Sequence, residues 1–405
     1  MDPRRNPYTP NAGAPPPVLA GRDDQLVTFE LLLQRMLDGR TEQSMIITGL
    51  RGVGKTVLLG EFRKRATTMD WVVIELEIAK HTPEEFRKDI AREARRALFT
   101  IAPMTKWREK ARRAAAVLKS FTLTVAPDGS LSVGLGNDSA PGSADSGSLD
   151  ADLTDLLLAL GEAAREHDTG VVLLIDEIQA LSKPELEALI AAIHKTVQRT
   201  LPITMVAAGL PQLPELVGEA KSYAERLFKF PAIGQLNATD AYEALVEPAV
   251  EEEASYDDDA AAFIIEYTEG YPYFIQEYGK AVWDLAVGPN VSLAEARASQ
   301  KAVEDKLDSG FFKVRIDRTT DLERAYLRCM AELGPEPQSA SSVAALMQRQ
   351  SNQVGPTRAR LIEKGLLYNT PSWGYAAFTV PQFDRYLKRC VPLRIPEPRT
   401  RKKKP

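Results

Sequence analysis

The chain has 405 residues, 44% of them hydrophobic, with a net charge of -5, so it can build two or three domains with real cores, and nothing marks it as a uniformly basic nucleic-acid binder. Charge is uneven, with 18 Lys and Arg against 8 Asp and Glu in residues 311–405 and an acidic remainder, which fits either a C-terminal part that meets an anionic partner or a solvated basic face. Two cysteines, Cys329 and Cys390, exclude a disulfide framework or a zinc pattern, and the lack of a signal peptide or a membrane-length apolar run implies a cytoplasmic protein with no membrane partner.

Residues 1–19 are rich in Pro, Asn, Gly and Ala, which predicts a flexible segment. After Gly21-Arg22-Asp23, the spacing of Leu26, Phe29, Leu32, Leu33, Met36 and Leu37 predicts a helix. Ser44–Thr48 is a short apolar, β-branched run that predicts a strand. It leads into Gly49-Leu50-Arg51-Gly52-Val53-Gly54-Lys55-Thr56, a G-x-x-x-x-G-K-T loop, and Val57 opens an amphipathic helix. Strand, loop and helix in that order form a phosphate-binding loop. Glycines let backbone N–H groups turn inward around a phosphate, and the helix N-terminus adds partial positive charge. Gly49 through Val57 are therefore the candidate nucleotide contacts. Lys55 would reach the β- and γ-phosphates and Thr56 would ligate Mg²⁺.

A second strand is predicted at Trp71–Leu76, followed by a charged helix over about 83–98 and a basic one over 105–119. Phe121, Leu123 and Val125, then Leu131, Val133 and Leu135, alternate on either side of Ala126-Pro127-Asp128-Gly129. That pattern predicts a β-hairpin at about 120–136, serving a partner or covering a sheet edge, and then a mobile loop to Ser148. A helix over 149–166 precedes Val171–Ile175, an apolar run suited to a strand buried on both faces. It ends in Asp176-Glu177. A carboxylate at that strand end is placed to hold Mg²⁺, and Glu177 is placed to polarise the attacking water. Helix 184–198, strand 203–208 and helix 215–224 complete an alternation that implies an α/β core: a parallel sheet with helices on both faces, with ligands at the C-terminal strand edges.

Beyond Pro231 the pattern is helical over 238–305, with a break at Gly270-Tyr271-Pro272 that sets a tight corner. Residues 320–390 read as three helices, the first capped by Asp321, and then two strands around Ser372-Trp373-Gly374, which is the winged-helix plan. Arg358, Arg360 and Lys364 on the third helix are candidate contacts to double-stranded DNA; the other reading of this module is protein contact alone. The basic tail, Arg399–Lys404, would add salt-dependent affinity for phosphates. The expected domains are 1–19 flexible, 20–236 core, 237–310 all-α lid, 311–392 winged helix and 393–405 tail.

The order of phosphate loop, Asp-Glu strand, helices with Gly-Tyr-Pro and winged helix resembles AAA+ ATPases of the origin-recognition group, and also the STAND and archaeal-type ATPases. The resemblance spans roughly residues 18–390. It implies that ATP and Mg²⁺ are the cofactors, that Arg22 packs near the adenine, and that Pro272 approaches the base. It also implies that Arg226 is placed like an arginine that completes a neighbouring site in an ATP-dependent homo-oligomer; a surface ion pair is the other reading of Arg226. One departure stands out. Such proteins carry a polar residue at the end of the strand after Asp-Glu, and here that strand ends Val206-Ala207-Ala208-Gly209. This favours slow hydrolysis. Two functions follow: an ATP-dependent switch acting on DNA through the winged helix, or a STAND-type regulatory ATPase whose hairpin and winged helix bind a protein partner. A small-molecule kinase is opposed by the Asp-Glu pair and the long C-terminal module.

Overall fold

The computed structural model describes residues 1–79, 81–126, 130, 135, 138–370 and 372–396. By their contacts they fall into two units, one holding residues 21–49 and 54–233, the other holding 1–20, 50–53 and the chain from Gly234 onward.

The first unit runs α1 (Asp23–Leu37), β1 (Ser44–Thr48), α2 (Lys55–Thr68), β2 (Val72–Glu77), α3 (Pro83–Ile101), α4 (Glu109–Val125), α5 (Leu149–Glu166), β3 (Val171–Asp176), α6 (Lys183–Gln198), β4 (Ile203–Gly209), α7 (Leu213–Ala220), α8 (Ala224–Leu227) and β5 (Phe228–Lys229). Its strands form one parallel sheet in the order β2-β3-β4-β1-β5. β1 and β4 are buried along their whole length and β3 is buried up to Asp176, as continuous apolar runs require when crossover helices cover both faces. Thr48 pairs with Gly209, and Ile175 with Ala207. The C-terminal ends of β1, β4 and β3 therefore line up on one edge. This is the α/β phosphate-loop core expected from the sequence.

The hairpin expected at 120–136 is corrected in its first arm, because Phe121, Leu123 and Val125 lie in the last turns of α4. Ala111, Ala114, Ala115, Leu118 and Phe121 are buried at helical spacing, whereas Leu123 is exposed. Packing on neighbouring elements selects the period of 3.6 over a short run of alternation. Leu131 and Val133 lie outside the described residues. The loop expected to be mobile up to Ser148 is tied down in its later part. Ala144 N–H donates to Asp155, Ser146 donates to Asp152 through both its N–H and its hydroxyl, and Arg87 bonds both Asp152 and the Gly147 carbonyl.

The second unit runs α9 (Ala238–Glu251), β6 (Ser255–Tyr256), α10 (Asp258–Thr268), α11 (Pro272–Leu285), β7 (Asn290–Val291), α12 (Leu293–Lys306), a π turn (Leu307–Phe312), α13 (Lys313–Ile316), α14 (Asp321–Leu333), β8 (Gln338–Ser339), α15 (Ala340–Leu346), α16 (Ser351–Glu363), β9 (Leu367–Asn369), β10 (Tyr375–Phe378) and α17 (Phe383–Cys390). The stretch expected to be helical throughout carries a small parallel pair, β6 with β7. β8, β10 and β9 form an antiparallel sheet in that order. Phe274, Phe311, Phe312, Phe383 and Tyr386 pack edge-on and stacked in one aromatic cluster that joins α11, the π turn and α17. The cap of α14 is Thr320, in a reciprocal box with Glu323, not Asp321.

Residues 1–19, expected to be flexible from their composition, are held by specific contacts. The Tyr8 ring is buried against Gly279, where an added Cβ would lie 2.5 Å from it. The Tyr8 hydroxyl donates to the Leu245 carbonyl and lies 2.9 Å from the Tyr256 hydroxyl. Trp283 Nε1 donates to the Asp2 carbonyl, Asn6 to Lys280 and Asp284, and Gln276 accepts from Thr9 N–H. Proline makes the segment extended and cheap to order, and Tyr8 gives it an anchor.

Candidate functional site

The phosphate loop leaves β1 at Gly49, whose N–H donates to the Gly209 carbonyl at 3.1 Å. Gly52 and Gly54 take φ of +84° and +91°, the left-handed region open to glycine at no steric cost. Gly54 is the N-cap of α2, so Lys55 and Thr56 are that helix's first residues. Lys55 is buried, and its Nζ donates to the Gly49 carbonyl at 2.9 Å. The tip of the loop groups with the second unit. There Arg51 N–H donates to the Thr379 carbonyl at 3.0 Å and Tyr273 N–H donates to the Gly52 carbonyl at 3.3 Å.

Thr56 Oγ1 donates to Asp176 Oδ2 at 2.6 Å, and Asp176 Oδ1 accepts from Glu177 N–H at 2.8 Å. Two hard oxygens from α2 and from the end of β3 thus meet at one point. That donor set suits Mg²⁺, which takes one or two protein oxygens and fills its shell with water and phosphate. Among the described residues no cluster of three or more His, Cys, Asp or Glu side chains offers an all-protein metal site. Glu177 has a left-handed backbone, φ +53°, uncommon for a residue with a Cβ. Its Oε2 accepts from Gln179 Nε2, and Gln179 Oε1 accepts from Leu210 N–H at 3.0 Å. Sequence reading missed Gln179. The available signal was a long polar side chain two residues after Glu177, opposite a strand ending in Ala-Ala-Gly.

The other predicted residues are placed as follows. Val57 lies in the first turn of α2. Arg22 is buried at the N-cap of α1 and donates from NH1 to the Gly21 carbonyl. Pro272 is the first residue of α11, after Gly270 at φ +69°. A Cβ at Gly270 would lie 2.4 Å from the Leu236 carbonyl oxygen, so glycine is required there. Arg226 is exposed on α8.

The three candidate DNA contacts are engaged within their own module. Arg358 donates to the carbonyls of Gly374 and Tyr375 and to Asn369 Oδ1, at 2.7, 2.8 and 2.8 Å, pinning the β9–β10 hairpin. Lys364 donates to Glu323 Oε2 at 2.7 Å and to the Arg318 carbonyl at 2.9 Å. Arg360 Nε lies 3.5 Å from Glu323 Oε1. Burial pushes the Glu323 carboxyl up, but the Lys364 bond and the Thr320 cap bonds outweigh it and hold it below its ordinary value. Trp373, in the β9–β10 connection, is 98% exposed, and the first turn of α16 presents uncharged Ser351, Asn352 and Gln353.

Comparison with known proteins adds family and fold. Residues 18–206 match the family described as AAA ATPase domain, and residues 309–387 match Domain of unknown function (DUF8462). No curated protein matches at a significant level. Among solved structures, a Walker-type ATPase of Pyrococcus abyssi is similar at 14% identity, covering 91% of this chain and 96% of that one, with a TM-score of 0.55. The RuvB Holliday junction branch migration motor of Thermotoga maritima matches at 15% identity, over 92% and 96% of the two chains, with a TM-score of 0.44. The ORC1 protein of Aeropyrum pernix, solved in complex with DNA, matches at 14%, over 95% and 96%, with a TM-score of 0.44. The Pyrococcus likeness shows the fold. The other two are too loose to carry an argument. Among the described residues, no helix is long and apolar enough to cross a membrane.

Proposed function

We propose that this protein, whose residues 18–206 match the AAA ATPase domain family, binds ATP with Mg²⁺ at the phosphate loop, hydrolyses it slowly, and works as a switch whose output is a C-terminal winged-helix module. The observation that carries the reading is the 2.6 Å contact of Thr56 with Asp176 beside Lys55 at the start of α2. On nucleotide binding, Lys55 Nζ exchanges the Gly49 carbonyl for phosphate oxygens, and backbone N–H groups at the start of α2 donate to the phosphates. Thr56 and Asp176 are the residues that would hold the cation. The chemistry Mg²⁺ would supply there is positive charge against the phosphates. Glu177 orients water and draws its proton.

Slow hydrolysis is part of the proposal, and it is supported by β4, which ends without a polar side chain of its own. A protein lacking ATP turnover in the presence of Mg²⁺, or one whose Lys55→Ala variant binds ATP as well as the wild type, would refute the reading.

The order helix, strand, two helices and two strands, from α14 to β10, supports the winged-helix reading. For its partner, the internal bonds of Arg358, Arg360 and Lys364 and the exposure of Trp373 favour protein contact over duplex DNA. Duplex DNA affinity measured across a salt series separates the two, because a phosphate-reading module shows a steep salt slope. An ATP-dependent homo-oligomer completed by Arg226 is part of the proposal, and is tested by sizing the Glu177→Gln protein with ATP.

A further inference from the structure

We propose that Gln179 is the positioning residue for Glu177, supplying from the turn after β3 the polar side chain that the end of β4 lacks. The inference rests on the reading of Glu177 as the group that orients water. Leu210 N–H can only donate, so the Gln179 group facing it must be the carbonyl oxygen Oε1, at 3.0 Å. The amide nitrogen must then face Glu177, where Nε2 donates to Oε2. One side chain therefore ties the carboxylate that follows β3 to the backbone that follows β4.

Gly209 makes room for this bridge. A Cβ built there would lie 2.2 Å from Gln179 Oε1 and 2.5 Å from Leu213 Cδ1. The same residue accepts from Gly49 N–H at the start of the phosphate loop. A strand ending in glycine is thus no vacancy in the site. It gives its place to an amide that enters from the neighbouring strand's turn. Glu177 needs such a restraint, since its left-handed backbone, φ +53°, aims the side chain from a conformation that is uncommon for non-glycine residues.

The test compares wild type, Gln179→Ala, Gly209→Ala, the double variant and Glu177→Gln for ATP binding by calorimetry and for steady-state turnover, with kcat and KM for ATP separated. Gln179→Ala should lower kcat about tenfold or more with KM for ATP within about twofold. Gly209→Ala should reproduce the loss of kcat, and the double variant should be no worse than either single change. Wild-type kcat in Gln179→Ala, or a fall in kcat matched by an equal loss of ATP affinity, would overturn the proposal. Should Gly209→Ala fail to fold, Gln179→Ala decides alone. Wild-type turnover in Glu177→Gln would instead remove the underlying reading of Glu177.

Discussion

Lys364→Ala tests whether the basic face of α16 is structural or a phosphate contact. In the folded chain the Lys364 ammonium sits 2.7 Å from a Glu323 carboxylate whose side chain is fully buried. Removing one partner of a fully buried pair costs about 3–5 kcal/mol. Lys364 is 32% exposed and Arg360 lies 3.5 Å from the same carboxylate, so solvent and the second cation reduce this to roughly 1–3 kcal/mol. The sign of the pH dependence is fixed by the depressed Glu323 carboxyl. Its stabilisation is fully present above the ordinary carboxyl value of 4.5 and is lost as pH falls through the lower folded value. The variant should lose most of that acid dependence. Hydrogen exchange of α14 and α16 amides is the assay, with protection falling about tenfold for each 1.4 kcal/mol lost. Unchanged protection together with a loss of duplex DNA affinity would refute the reasoning and restore Lys364 as a phosphate contact.

Other expectations follow from single contacts. Lys55→Ala should abolish ATP binding in calorimetry while leaving the fold intact by circular dichroism. Tyr8→Phe removes a buried hydroxyl bonded to Leu245 and beside Tyr256. It should loosen residues 1–20 by about 1–3 kcal/mol, read as faster proteolytic cleavage there. Arg358→Ala removes three hydrogen bonds that hold the β9–β10 hairpin. It should cost about 1–3 kcal/mol, seen as faster amide exchange in that hairpin, with the exchange in the α/β unit unchanged.

The α/β unit was legible because its signals are local and agree with each other. β-branched runs gave β1 and β3, glycines and Lys55 marked the loop between β1 and α2, and Asp176 stood where β3 had to end. What failed depended on packing between distant segments. Phe121, Leu123 and Val125 alternate like a strand, yet burial of Leu118 and Phe121 on one side makes them helix. Residues 1–19 look flexible by composition, and the match of the Tyr8 ring to Gly279, with the bonds of Asp2, Asn6 and Thr9 to distant residues, shows otherwise. Arg358, Arg360 and Lys364 were read as outward cations because Glu323 and the hairpin carbonyls that accept from them lie at other points of the chain. Gln179 escaped for a related reason: one of its partners, Leu210, lies just past the end of β4, far from it in the chain.

ATP turnover by Glu177→Gln, measured beside ATP affinity in the same preparation with Mg²⁺, tests the central claim most directly. The account predicts wild-type affinity and a kcat lowered by about 10²-fold or more. A kcat equal to that of the wild type at equal affinity would contradict it.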